Sequence, residues 1–256
     1  MKRIPTERIQ KLMAEGRASP SLVTSMLERK FSSGVTPEEE STVHNIAFTV
    51  YGAASITTTA SMTTFFYLMS KHRDIQRKAQ AELDEVIGTK RLPTYEDRPN
   101  LPYIEAVYRE LMRLGAPLPR STPHATLETT FTKDTSFRKV GSLVYFFKLL
   151  LTKQLPTLKE RLYSPTYDGR IYRAMNHDEA KYPDPYAFKP DRFFDASGKL
   201  NDDSRILAYG FGRRVCVGQH VASSIMWMVI ASVLACFDIS AATDANGNDL
   251  PINERL

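Results

Sequence analysis

The order of apolar and polar residues along the chain predicts a mainly helical protein. Residues 71–87 carry apolar side chains at four-residue spacing, the pattern of a helix with one buried face. These apolar positions are Ile75, Ala79, Leu83 and Ile87. Gly88 is expected to end this helix, because glycine readily adopts the left-handed conformation at a helix C-terminus.

Four other segments also have the character of helices. Residues 6–30 have helix-forming composition with one turn-like interruption, and residues 103–114 are predicted to form another helix. Residues 37–41 place acidic side chains in a first helical turn, where they interact favourably with the helix dipole. The nearly uncharged run at 42–69 predicts a long buried helix, and residues 216–237 predict an apolar one. Strand patterns are scarce, so the fold class is expected to be mainly α.

Composition and charge exclude several classes of protein. The chain of 256 residues has 42% hydrophobic and 25% charged residues, which is ordinary for one globular domain over residues 1–256. No run of eighteen uncharged apolar residues and no apolar run after the N-terminal charges is evident, so we expect neither membrane anchor nor signal peptide, and a cytoplasmic chain. Seven basic and two acidic residues at 137–170 account for the whole net charge of +5. Such a local excess does not indicate a nucleic-acid-binding face.

The two cysteines lie in contrasting surroundings. Cys236 lies in an apolar run and is expected to be a small core residue. Cys216 lies in the string Tyr209-Gly-Phe-Gly-Arg-Arg-Val-Cys216-Val-Gly218, a glycine-rich loop before a helix. The helix start and the adjacent arginines favour a thiolate, and the glycines allow a flat ligand to approach the backbone.

This string resembles the haem-binding signature of the cytochrome P-450 family, Phe-x-x-Gly-x-Arg-x-Cys-x-Gly. Every defined position matches except the first, where Tyr209 replaces phenylalanine. The resemblance implies that Cys216 ligates the haem iron and that Arg214 contacts a haem propionate. The glycines that would approach the cofactor are Gly210, Gly212 and Gly218. The alternative interpretation is a turn before a buried helix with an incidental cysteine.

Two further motifs follow the family order. Glu110-Leu-Met-Arg113 resembles the motif of the family's K helix, and Pro190-Asp-Arg192-Phe resembles a later loop motif. The resemblance implies that Glu110, Arg113 and Arg192 form a structural cluster that supports the cysteine loop. The resemblance implies that His124, after the K helix, contacts a haem propionate, although a histidine in a loop is also commonly just exposed.

The string Ala53-Ala-Ser-Ile56-Thr57-Thr58 resembles the family's distal motif, Ala/Gly-Gly-x-Asp/Glu-Thr-Thr. Thr57 would be the catalytic residue that helps to deliver protons during oxygen activation. Ile56 occupies the position where the family has an acidic residue. The resemblance leaves two alternatives: Thr57 and water suffice for proton delivery, or turnover is weak or uncoupled.

The resemblance implies an incomplete cytochrome P-450 fold. The distal I helix, the J and K helices, the meander, the cysteine loop and the L helix are present, and the N-terminal half of the family domain is absent. Residues 140–169 are atypical, because they carry part of the charge excess and lack the expected Pro-Lys-Gly turn. A retained intron or a gene-model error is one hypothesis for this segment.

The function implied is that of a fungal haem-dependent monooxygenase, which inserts one oxygen atom of O₂ into a small hydrophobic organic substrate. Electrons would come from NADPH through a flavoprotein reductase. Full-length relatives would lie at the endoplasmic reticulum membrane, and truncation would impair activity. The alternative is a catalytically silent remnant that does not hold haem.

Overall fold

The protein is described from a computed structural model that covers residues 4–31, 36–118, 130–132, 135–137, 171–204, 206–210, 212–244 and 250. The prediction of a mainly helical chain is confirmed within these residues. The α-helices are α1 (Ile4–Ala14), α2 (Leu22–Phe31), α3 (Pro37–Lys71), α4 (Arg73–Val86), α5 (Pro102–Leu114), α6 (Ile171–Asn176) and α7 (Gln219–Cys236). Short 3₁₀ turns lie at Tyr95–Asn100, Pro190–Phe193, Leu207–Tyr209 and Gly212–Arg214.

A short antiparallel pair of strands, which the sequence did not predict, joins β1 (Thr130–Thr132) to β2 (Thr135–Phe137). The register pairs Thr130 with Phe137. His124 and the atypical segment at 140–169 lie outside the described residues.

The chain divides into two compact units, Met1–Thr59 and Ala60–Leu256. In the first unit, Ser21 caps α2 by accepting a hydrogen bond at its Oγ from the Thr24 N–H (3.1 Å). Thr36 and Glu39 form a capping box before α3, since the Glu39 N–H donates to Thr36 Oγ1 and the Thr36 N–H donates to Glu39 Oε2. The predicted helix start near residue 37 is therefore confirmed.

The long uncharged helix is confirmed as α3, but the expectation that it is buried is wrong for its middle. Tyr51 is 73% exposed and Ile56 is 71% exposed. At about 1.5 Å per residue, the part of α3 in the first unit is roughly 35 Å long, whereas α1 and α2 each extend only about 15 Å. Two such short helices cannot cover an apolar surface of that length.

The second unit has one hydrophobic core formed by the end of α3 and by α4, α5 and α7. The residues of this core that are fully or almost fully buried include Phe65, Met69, Ala79, Leu83, Ile104, Val107, Tyr108, Leu111, Met112, Met226, Trp227, Ile230 and Leu234. The predicted amphipathic helix at 71–87 is confirmed, because its four-residue apolar stripe is the face of α4 that enters this core. Gly88 ends the helix with φ of +72°.

Glu82 on α4 joins that helix to the start of α5. Its carboxylate accepts hydrogen bonds from the N–H groups of Tyr103 (2.7 Å) and Ile104 (3.0 Å). These are two of the backbone donors that a helix start leaves without an internal partner. Burial raises the pKa of Glu82, and the two backbone N–H groups oppose that rise.

The apolar helix α7 begins at Gln219, three residues after Cys216, and Gly218 is its N-cap. Its length and composition alone would allow it to cross a membrane, so the expectation that no segment qualifies is wrong by that criterion. Five residues of α7 between Met226 and Leu234 are buried in the core, which is 28% of the helix.

The expected burial of Cys236 is wrong, because the side chain is exposed. The core face of α7 ends at Leu234, and Cys236 follows two positions later. Two residues turn an α-helix through about 200°, so Cys236 points away from the core.

Candidate functional site

A tight loop precedes α7 and contains Cys216. The chain turns at Gly210 (φ +78°) and again at Gly212 (φ +68°), in the left-handed region that residues with a side chain rarely adopt. The N–H of Cys216 donates to the carbonyl oxygen of Tyr209 at 2.8 Å. This bond closes the loop and brings Cys216 beside the residue that begins it.

The side chain of Cys216 is exposed, as are Arg213 and Arg214 beside it. Gly218 leaves the near side of the sulfur free, because a Cβ at that position would lie 3.9 Å from Sγ, in van der Waals contact. The loop thus presents an accessible thiol with two arginines and no side chain at residue 218.

A buried cluster of charged side chains lies on α5. Glu110 is 0% exposed and Arg113 is 4% exposed. Arg113 donates to the Glu110 carboxylate through Nε (2.6 Å) and Nη2 (2.8 Å). Arg192 donates to the same carboxylate through Nε (3.1 Å), and the N–H of Lys189 donates at 2.9 Å. The structure therefore brings Glu110, Arg113 and Arg192 together around one carboxylate.

The two arginines of this cluster also hold the irregular segment that leads towards the cysteine loop. Arg113 donates to the carbonyl oxygens of Asn176 (2.6 Å) and Pro185 (2.8 Å). Arg192 donates to those of Pro183 (2.9 Å), Asp184 (3.2 Å) and Ala187 (3.2 Å). Planar guanidinium groups with several fixed donors suit this role, because one side chain can satisfy a carboxylate and several carbonyls together.

Hydrogen bonds hold the segment that follows Arg192 at several positions. Asn201 donates from its N–H to the Phe193 carbonyl (2.8 Å) and from Nδ2 to the Arg192 carbonyl (3.0 Å). Two residues further along, Asp203 accepts a hydrogen bond from the Tyr182 hydroxyl at 2.8 Å. These contacts hold the chain between the buried cluster and Tyr209.

A second carboxylate on α5, Glu105, also binds two arginines, and the sequence analysis missed it. Arg98 donates to Glu105 through Nε at 2.9 Å, and Arg109 donates through Nε at 3.1 Å. Arg98 further donates to Ser223 Oγ of α7 (3.1 Å). The i,i+4 spacing of Glu105 and Arg109 was visible in the sequence, but the contact of Arg98 with α7 depends on the packing of helices far apart in the chain.

Tyr108, also on α5, contacts the cysteine loop directly. Its hydroxyl lies 3.0 Å from the hydroxyl of Tyr209 in hydrogen-bonding geometry. Burial is the largest cause that raises the pKa of both phenols. Both side chains are therefore neutral hydroxyls at physiological pH.

Beside this pair lies a cleft of about 380 Å³ between α5, α7 and the cysteine loop. Its lining combines loop residues such as Gly210, Gly212 and Val215 with the charged pair Arg98 and Glu105.

Thr57 lies in the first unit, on α3. Its hydroxyl donates to the carbonyl oxygen of Ala53 at 2.7 Å, one turn earlier in the same helix. The neighbouring Ile56 is largely exposed. His124, the other residue that the sequence assigned to the site, lies outside the described residues.

Comparison with known proteins identifies the family. The family model for cytochrome P-450 matches residues 2–149 and 171–254. The chain belongs to the cytochrome P-450 family. The prediction drawn from the cysteine loop is thus confirmed at the level of the family, whose members hold haem. The match omits residues 150–170, which overlap the segment that the sequence marked as atypical.

Curated relatives of this cytochrome P-450 chain come from fungi. It is 36% identical to cytochrome P-450 monooxygenase 58 of Postia placenta over 249 residues, which is 95% of the chain and 42% of that protein. It is 36% identical to cytochrome P-450 monooxygenase claR of Ampulloclitocybe clavipes over 252 residues, 98% of the chain and 42% of that protein. The chain therefore spans less than half the length of these relatives.

The residues of the cysteine loop fit the family's cofactor. A thiolate would suit haem iron as a ligand, the Cys216 thiol is exposed, and a Cβ at Gly212 would meet open space. In the part of the chain that the structure describes, no three His, Cys, Asp or Glu side chains converge as a site for a bare metal ion. A single cysteine with glycines around it suits a metal that brings its remaining ligands in a macrocycle.

Proposed function

We propose that this chain supplies the haem-binding part of a monooxygenase and that Cys216 is the thiolate ligand of the haem iron. The observation that carries the proposal is the loop itself. Its exposed thiol lies directly before α7, after the two left-handed glycines Gly210 and Gly212, and the Cys216 N–H donates to the Tyr209 carbonyl oxygen. Family membership supports haem as the group that this loop holds.

When bound, a haem with a thiolate ligand supplies the chemistry that activates O₂ for insertion of one oxygen atom into an organic substrate. Cys216 provides the anionic sulfur for that ligation. Arg214 and His124 are proposed to pair with the two propionates, and Gly210, Gly212 and Gly218 let the backbone lie close to the macrocycle. Electrons would come from NADPH through a flavoprotein reductase, and the substrate would be small and hydrophobic.

The buried cluster has a scaffolding role in this proposal. Glu110 accepts four hydrogen bonds, and its partners Arg113 and Arg192 hold the backbone of residues 176–187. None of the three is exposed enough to act on a substrate. Their contribution is to keep the path to the cysteine loop in one conformation.

Thr57 is proposed to carry a proton in the reaction. Its hydroxyl donates to the Ala53 carbonyl, so it is free to accept a hydrogen bond from a neighbouring water or substrate. A proton relay usually pairs such a hydroxyl with an acid, but Ile56 has no proton to exchange. Slow or poorly coupled turnover is the expected consequence.

The second candidate is a catalytically silent chain that does not hold haem. The extent of exposed apolar surface favours it, since Val217 is 98% exposed and Val221 is 65% exposed beside the cysteine loop. Exposed apolar side chains that cluster on a surface promote association or aggregation.

One experiment separates the two candidates, and the chain offers a matched control. Both cysteines are free and exposed, so Cys216→Ser and Cys236→Ser make the same chemical change at the proposed ligand and away from it. Each protein is reconstituted with haem, reduced and exposed to carbon monoxide. We expect wild type and Cys236→Ser to show the Soret band of a thiolate–carbonyl complex and Cys216→Ser to lack it. Absence of bound haem in wild type, or equal bands in both variants, contradicts the proposal.

A further inference from the structure

The cysteine loop differs from the family signature at its first position, where Tyr209 replaces phenylalanine. The difference is a single hydroxyl on a partly buried ring. Placing a hydroxyl away from water is unfavourable unless it finds a hydrogen-bonding partner. Tyr209 has that partner in Tyr108, with 3.0 Å between the two phenolic oxygens.

The side chain of Tyr108 is held firmly in place by its surroundings. Its side chain is 0% exposed, and it lies in the middle of α5 between the two carboxylates Glu105 and Glu110. The guanidinium of Arg98 lies over its ring, 5.3 Å from the centroid, and is itself bonded to Glu105 and to α7. Tyr108 therefore cannot follow a movement of the loop without disturbing α5 and its charged partners.

The backbone of Tyr209 is hydrogen-bonded to Cys216, the proposed ligand of the haem iron. Its carbonyl oxygen accepts the N–H of Cys216 at 2.8 Å. Between these two residues the chain passes through Gly210 and Gly212, which are the most freely rotating residues available. Without a side-chain attachment at Tyr209, those glycines would allow the loop to shift and carry the sulfur with it.

We propose that the Tyr209 hydroxyl is a positioning group: its hydrogen bond to Tyr108 anchors the cysteine loop to α5 and holds Cys216 in place. The inference rests on the proposed function where it concerns thiolate ligation. The loop geometry itself does not depend on it.

The test uses the full chain with Tyr209→Phe, Tyr108→Phe and the double variant. Tyr186→Phe is the control, because it removes the hydroxyl of a tyrosine that is 63% exposed. The first readout is the ratio of thiolate-type to non-thiolate-type carbonyl complex after haem reconstitution and reduction. The second is hydrogen exchange at the Cys216 amide in the haem-free chain.

We expect each single variant to lower the thiolate ratio and to speed exchange at Cys216, both by about fivefold, the effect of one ordinary hydrogen bond. The double variant should change no further, because either substitution already removes the same bond. The control should match wild type.

An unchanged ratio and an unchanged exchange rate in either single variant overturn the inference, as do additive effects in the double variant. A wild-type chain that never gives the thiolate band contradicts the proposed function instead. In that case exchange at the Cys216 amide still decides whether the two hydroxyls hold the loop.

Discussion

Replacing Glu110 by glutamine is the most direct test of the buried cluster. The substitution keeps the size of the side chain and removes only its charge. It leaves the guanidiniums of Arg113 and Arg192 beside a neutral amide, in a place where Glu110 itself is 0% exposed. Glutamine also turns an NH₂ group towards donors that need an acceptor.

The magnitude follows from the contacts of that carboxylate. Glu110 accepts two hydrogen bonds from Arg113, one from Arg192 and one from the Lys189 backbone. Breaking a buried ion pair by removing one partner destabilises a protein by about 3–5 kcal/mol, because a desolvated charge remains. Whole domains are stable by only about 5–15 kcal/mol, so Glu110→Gln should remove a large part of the free energy of unfolding.

Urea unfolding followed by tryptophan fluorescence is a suitable assay. Trp227 is the only tryptophan of the chain, and it is fully buried in the same unit as Glu110. The matched control is Glu85→Gln on the exposed face of α4, which should change the free energy of unfolding by less than about 0.5 kcal/mol. Arg192→Gln and the double variant complete a cycle, in which the double loss should be smaller than the sum of the single losses.

Two results would refute this reasoning. One is a Glu110→Gln chain that unfolds at the same urea concentration as Glu85→Gln. The other is strict additivity of Glu110→Gln and Arg192→Gln, which would mean that the two side chains do not stabilise the fold through each other.

Two further predictions concern stability. Gly115→Ala should destabilise the chain by about 1–3 kcal/mol, because the added Cβ would lie 2.5 Å from Thr64 Cγ2; the same substitution in a Thr64→Ser chain, which lacks that methyl group, should be much less harmful in urea unfolding. The pKa of Asp97 is held well below its ordinary value, first by the Arg91 guanidinium and then by the Thr94 N–H. The ionised Asp97 side chain therefore stabilises the fold fully above the ordinary carboxylate pKa. This stabilisation is lost as the pH falls towards the pKa of Asp97 in the folded chain. Asp97→Asn should therefore be less stable than wild type at neutral pH, and unfolding measured down to about pH 3 should show that difference shrinking; a constant difference would contradict this assignment.

Much of the helical architecture could be predicted from the sequence, because a helix depends on residues three and four positions apart. The stripe on α4 and the turn at Gly88 followed from local spacing and from the conformational freedom of glycine. The glycine-rich loop before α7 was predicted from its glycines in the same way. The position of Cys216 in that loop was evident before any tertiary contact was known.

Burial was less predictable, because it depends on what packs against a helix. The apolar middle of α3 suggested a buried helix, yet Tyr51 and Ile56 are exposed in a unit whose other helices are too short to cover them. Cys236 was expected in the core because its neighbours are apolar, but it lies beyond the face that Leu234 completes. The composition of a segment shows how apolar it is, but it does not show which of its side chains face the core.

The sequence by itself determined the local elements, the cysteine loop and the neighbouring pair Glu110 and Arg113, since these need only short-range hydrogen bonds and helical spacing. Tertiary structure alone decided the contacts that connect them. Arg192 reaches Glu110 across 82 residues, and Tyr209 reaches Tyr108 across 101. Such contacts form only when packing of α4, α5 and α7 brings distant segments together, so no local pattern of side chains could specify them.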